Sequence, residues 1–187
     1  MKRWTLTGDK ALDKTAKQRA VRQIMASYDC GTLLATLLVQ RGYDAEAAAE
    51  LLSEELLFDD PFELKDMDLA VERINRAVDE FERIVIYGDY DCDGVTASVL
   101  LYTFLSTLGA DVEIRLPHRQ KDGYGLHEDA VKRMAEDGVQ LIITVDNGIS
   151  AIEEAKLISE LGMDLVVTDH HLPGDELPQA VAVVNPH

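Results

Sequence analysis

Hydrophobic positions recur along this chain in two rhythms. Between Gly31 and Phe58, Leu33, Leu34, Leu37, Leu38, Leu51, Leu52 and Leu56 fall at helical spacing, in two blocks divided by Arg41-Gly42-Tyr43, which predicts a helical hairpin. The stretch FDDPFELKDM over 58–67 interrupts that pattern with Pro61 and clustered acids, the mark of a linker or domain boundary. The expected division is a helical N-terminal segment over 1–66 and a second domain over 67–187. That domain opens with a helix over 68–81 whose buried stripe is Leu69, Ile74 and Val78.

From Arg83 onward the period changes. Short β-branched runs at 84–87, 112–116, 141–145, 165–168 and 181–184 alternate with helix-like stretches at about 95–109, 127–137 and 150–161, with Gly109, Gly138 and Gly162 as helix stops. Strand and helix in strict alternation predict an α/β fold: an open, mainly parallel five-stranded sheet flanked by helices and preceded by a small helical segment.

Charge complicates the picture. The 187 residues hold 18 Lys and Arg against 35 Asp and Glu, a net charge of -17, which by itself argues against nucleic acid and anionic membranes as partners. The distribution is uneven. Residues 1–26 carry seven basic side chains against Asp9 and Asp13, a net of +5, so the remainder carries -22. Such an arm is either a solvated face or a contact for a phosphate backbone. No apolar run approaches the roughly 18 residues of a membrane span, and MKRWTLTGDK lacks the apolar centre of a signal peptide, so a cytoplasmic protein without a membrane partner is expected. Cys30 and Cys92 make no disulfide framework.

In open parallel sheets the carboxyl ends of the strands form the ligand crevice. After the first run comes Gly88-Asp89-Tyr90-Asp91-Cys92-Asp93-Gly94, after the third Asp146-Asn147-Gly148, and after the fourth Asp169-His170-His171. Three aspartates at alternate positions repel one another unless a cation neutralises them. With Asp146 and His170 added, the donor set is carboxylate-rich with imidazole and suits Mn²⁺ or Mg²⁺; zinc is less natural, since neither cysteine has a partner at ligand spacing. Asp93 is also a candidate N-cap for the following helix. Neighbouring residues of an extended segment face opposite ways, which assigns His170 to metal and His171 to a substrate phosphate. The loop PHRQKDGYGL adds Arg119, whose guanidinium can fork onto a phosphate, and glycines at 123 and 125.

VIYGDYDCDGVTAS, LPHRQKDGYGLH, LIITVDNGIS and VVTDHHLP, in this order and with DPFELKDMDLAVERI upstream, resemble the DHH phosphoesterase superfamily, and within it the exonuclease branch. The resemblance implies a metal-dependent phosphodiesterase, a 5′ to 3′ exonuclease specific for single-stranded DNA in recombination and repair, with two Mn²⁺ or Mg²⁺ ions. Carried over by position, Asp89, Asp91, Asp93, Asp146 and His170 are metal ligands, and Asp146 bridges the ions. The catalytic pair is His171, which contacts phosphate, and Asp169, which orients the histidines; Arg119 touches the DNA phosphate. Single-strand-binding protein and a repair helicase are implied partners. Family members carry a further aspartate motif and a second domain downstream, so this chain is expected to be an N-terminal piece that is inactive alone. Two other readings stay open: a small-substrate phosphoesterase acting on pyrophosphate, oligonucleotides or a cyclic dinucleotide, and a non-catalytic scaffold of the same fold.

Overall fold

The computed structural model describes residues 13–53, 59–117 and 125–187. The chain divides into two compact units, Met1–Phe58 and Asp59–His187. In the first, α1 (Lys14–Ser27), α2 (Thr32–Gln40) and α3 (Ala45–Leu51) enclose a small core of Val21, Ile24, Ala35, Leu38, Val39 and Ala48. Half of the basic arm is thus a helix with its own buried stripe, Val21 and Ile24. Asp44 caps α3 by accepting from the Ala47 N–H at 2.9 Å, and the Tyr28 hydroxyl donates to the Leu52 carbonyl at 2.6 Å. Of the seven leucines read as the hairpin's stripe, only Leu38 is fully buried, Leu33 is 75% exposed, and Leu56 lies outside the described residues. Small residues, Ala35 and Ala48, form much of the contact because they let short helices approach closely.

The second unit begins with a 3₁₀ turn at Pro61–Glu63 and continues with α4 (Met67–Asp79), β1 (Arg83–Tyr87), α5 (Cys92–Thr107), β2 (Asp111–Arg115), α6 (Glu128–Glu136), β3 (Leu141–Val145), α7 (Ile152–Glu160), β4 (Asp164–Thr168) and β5 (Ala182–Val184). The five strands form one open sheet in the order β2-β1-β3-β4-β5, every pair parallel. The chain leaves β1 for β2 on one side and then returns to β3 on the other. The crevice between the carboxyl ends of β1 and β3 is therefore the topological switch point, where sheets of this kind bind ligands.

Alternate residues along each strand feed two separate cores. Val85, Tyr87, Ile142, Leu165 and Val167 pack with Val131 and Met134 of α6 and Ala155 and Ile158 of α7. Ile84, Ile86, Leu141, Ile143 and Val166 pack on the other face with Ala70 and Ala77 of α4 and Leu105 of α5. Burial on both faces explains why these strands read as unbroken apolar runs.

One helix stripe differs from its sequence reading. In α4 the buried positions are Ala70, Arg73 and Ala77; Ile74 and Val78 are partly buried, and Leu69 is 43% exposed. Alanines bring the helix close to the sheet. Arg73 is accepted inside because its guanidinium meets Glu82 at 2.6 Å and Asp164 at the start of β4. Among the described residues no helix is long and apolar enough to cross a membrane.

Candidate metal centre

The segments leaving β1, β3 and β4 build the site. After β1 the chain turns into α5, which starts at Cys92, three residues earlier than the sequence pattern suggests. Asp91 is the cause: its Oδ1 accepts from the backbone N–H groups of Asp93 at 2.9 Å and Gly94 at 3.0 Å, capping the helix. The N-cap is thus Asp91, and Asp93 sits exposed in the first turn. Gly94 is required by proximity: a Cβ there would lie 2.6 Å from the backbone of Asp89. This close approach presses the start of α5 against the loop that carries the buried Asp89.

After β3, Asp146 adopts a left-handed backbone, φ 62°, with Gly148 at φ 106° two residues on. A Cβ on Gly148 would fall 2.5 Å from the Thr144 hydroxyl, so both conformation and space call for glycine. The Asp146 N–H still donates to Thr168 O at 3.0 Å, which keeps the residue tied to β4 as its side chain turns toward the crevice. Asn147, fully buried, donates from Nδ2 to Tyr87 O at 3.1 Å and to Val145 O at 2.9 Å.

After β4, Asp169 organises the histidines. Its Oδ1 accepts from the His170 N–H at 2.8 Å, the His171 N–H at 3.1 Å and His171 Nδ1 at 2.7 Å, and its Oδ2 accepts from the Ile149 N–H at 2.9 Å. The segment therefore folds around this carboxylate instead of staying extended. As a result the two imidazoles do not face opposite ways: their ring centroids are 4.6 Å apart. They do keep different partners, since His170 Nε2 lies 2.8 Å from Asp146 Oδ1. Asn185, just past β5, donates to His171 O at 3.0 Å, and His187 Nε2 lies 3.1 Å from His170 O.

Two sets of potential ligand atoms converge, each within 4.8 Å: Asp89, Asp91 and Asp146, and Asp146 with His170 and His171. Asp146 belongs to both. Asp93 joins neither, and neither does the exposed Cys92. Arg119 and Gly123 fall outside the described residues. Sequence reasoning missed Asn147 and Asn185; the one signal available was a polar residue directly after a strand end.

The electrostatics record crowding. Burial pushes the Asp146 carboxyl above its usual range, the neighbouring Asp91 charge pushes the same way, and the His170 hydrogen bond pulls back. Asp91 is held low, first by the Gly94 N–H, with burial opposing and the Asp93 N–H and Asp146 assisting. For Asp169 burial is the largest influence and acts upward, yet the Ile149 N–H and the His171 bonds outweigh it and leave the carboxyl low. His171 is raised, chiefly by its bond to Asp169. Asp89 Oδ1 is buried with no hydrogen-bond partner. A buried carboxylate oxygen left unpaired beside two other acids is costly, and a divalent cation relieves both problems. The donor set, three carboxylates and two imidazoles, fits an ion such as Mn²⁺ or Mg²⁺.

Fold and site together define a parallel α/β domain with an acid-histidine centre at its switch point. Residues 83–187 match the DHH family, N-terminal domain, and the chain belongs to that family. It is 47% identical over 172 residues to the single-stranded-DNA-specific exonuclease RecJ of Bacillus subtilis, covering 90% of this chain and 22% of that protein. It is 34% identical over 166 residues to the RecJ of Thermus thermophilus, covering 87% and 23%. The solved structure of Thermus thermophilus RecJ in complex with Mn²⁺ superposes with a TM-score of 0.68 at 30% identity, covering 90% of this chain and 23% of that one. Another exonuclease RecJ bound to manganese gives 0.64 at 36% identity, covering 71% and 33%. The chain spans about a fifth to a quarter of the length of the curated relatives it matches.

Proposed function

We propose that this chain is the metal-binding part of a phosphodiesterase that removes nucleotides from the 5′ end of single-stranded DNA, in recombination and repair, in the cytoplasm. The observation that carries the reading is the double set of ligand atoms sharing Asp146. Asp89, Asp91, Asp146 and His170 hold the ions, Mn²⁺ or Mg²⁺. When bound, such ions supply an activated water as nucleophile and screen the charge that builds on phosphorus.

The chain's own residues do the rest. Asp169 fixes the ring and backbone of His171, and its hydrogen bond holds the imidazole above its ordinary pKa. When the ring is protonated, Nδ1–H is donated to Asp169 and Nε2–H can be offered to a substrate phosphate. Asp169 thus acts as a positioning residue for His171. Asp91 serves twice, as helix cap and as ligand. Arg119 contributes a phosphate contact, and single-strand-binding protein and a repair helicase are the protein partners that fit this role.

The test uses a protein of the relatives' length that carries this chain. Asp146→Ala is expected to abolish Mn²⁺ binding and the release of mononucleotides from 5′-labelled single strands, while far-UV circular dichroism keeps the wild-type signal. Retained Mn²⁺-dependent release in the variant overturns the assignment.

A further inference from the structure

Asn147 has the geometry of a clamp between the two strands that present the acids. Its Nδ2 donates to Tyr87 O, the last carbonyl of β1, and to Val145 O, the last of β3. The registered pairing of these neighbouring strands ends at Tyr87 opposite Thr144, so beyond that point the ladder no longer fixes their spacing. The Asn147 carboxamide takes over there. Tyr87 stands two residues before Asp89, and Val145 directly precedes Asp146 with its left-handed backbone. This side chain therefore links the strand end that leads to Asp89 with the strand end that leads to Asp146.

A second observation separates this from ordinary strand linking. Asn147 is 0% exposed, and its Oδ1 is buried without a hydrogen-bond partner. A residue kept only for stability gains little from a buried acceptor left unsatisfied, whereas such costs gather where a site must be held in one shape. The orientation of the amide follows from chemistry, because only the NH₂ end can donate to two carbonyls.

We infer that Asn147 is a positioning residue of the metal centre: by tying the carboxyl ends of β1 and β3 together it sets the Asp89–Asp146 separation, and with it the affinity for the divalent ion. This rests on the metal-binding reading of the site. Outer-shell partners that orient ligands typically change metal affinity by about 10- to 100-fold when removed.

The experiment titrates a protein of the relatives' length that carries this chain with Mn²⁺ and counts free ion by electron paramagnetic resonance, at a temperature where circular dichroism shows each variant folded. Asn147→Ala is expected to weaken Mn²⁺ binding at least tenfold. Ile158→Val, a change in the apolar core where α7 packs on the sheet, is expected to lower the melting temperature but leave the affinity unchanged, so a loss of affinity confined to the Asn147 variant separates positioning from mere destabilisation. If Asn147→Ala does not fold, Asn147→Ser carries the same criterion. Binding by the Asn147 variant within twofold of wild type overturns the clamp alone. If the wild type binds no Mn²⁺, and Asp146→Ala behaves identically to it, the metal reading falls and takes the clamp with it.

Discussion

Asp146 concentrates the tensions of the site: a left-handed backbone, a buried carboxyl raised by its surroundings, and hydrogen-bonding contact with both Asp91 and His170. Such an arrangement persists only where its neighbours over-determine it, and here Gly148, Asn147 and the β4 ladder do so. Gly94 plays the matching part at the other strand end, since its missing Cβ is what lets α5 start against Asp89. Gly94→Ala forces a methyl to within 2.6 Å of that backbone, which cannot swing aside as a flexible side chain would. The expected cost is about 1–3 kcal/mol of stability, the usual range for overpacking. Mn²⁺ affinity should fall with it, because Asp89 moves; thermal melts with and without Mn²⁺ measure both.

At the scale of elements, α4 is fastened to the sheet by charge as well as by apolar contact. Arg73 reaches Glu82 and Asp164, and Arg76 adds a second bond to Asp164 at 3.0 Å. Glu82 is itself buried, so truncating its partner strands a charge inside. Arg73→Ala is expected to destabilise the second unit by about 3–5 kcal/mol, read as a lowered midpoint in urea. Pairing Arg73→Met with Glu82→Leu should recover most of that loss, since an apolar pair of similar volume has no charge to desolvate. Helix α5 is held differently. It is apolar on nearly every face, yet Leu100 is 73% and Phe104 60% exposed, while Leu105 and Ser98 are buried. Its sequence alone could not say which face meets the sheet; Gly94, packed against Asp89, sets that rotation.

For the whole molecule, the net charge of -17 and the proposed substrate are reconciled at the cluster. Several acids converge on one crevice, and each bound cation reverses the local sign that a nucleic acid meets. The 187-residue chain is therefore expected to bind single-stranded DNA weakly in EDTA and more tightly once Mn²⁺ is added, with added salt reducing the gain. Fluorescence anisotropy of a labelled oligonucleotide checks this; affinity indifferent to Mn²⁺ would mean that the crevice is not where DNA approaches. Much of the fold was legible beforehand. Strand positions came within a residue or so of those observed, because two-sided burial writes itself as short β-branched runs, and helix stops fell at glycines. Less legible were features that depend on a neighbour: Leu69 facing solvent while Arg73 is buried, Asp91 rather than Asp93 capping α5, and two adjacent imidazoles brought to one side by the Asp169 carboxylate.

The sequence by itself determined which residues come after each strand, and hence which acids and histidines could be presented at the sheet's carboxyl edge, because strand and helix periods are local properties of the chain. It could not decide which strands are neighbours. Asp89 and Asp91 meet Asp146 because β1 lies beside β3, and His170 meets Asp146 because β4 lies on the other side of β3. That order is set by packing helices on both faces of a twisted sheet, an interaction between segments more than fifty residues apart in the case of Asp89 and Asp146. The identity of the acids and histidines was thus written locally, while the distances between them, and the asparagine that bridges the two strand ends, came only from the assembled sheet.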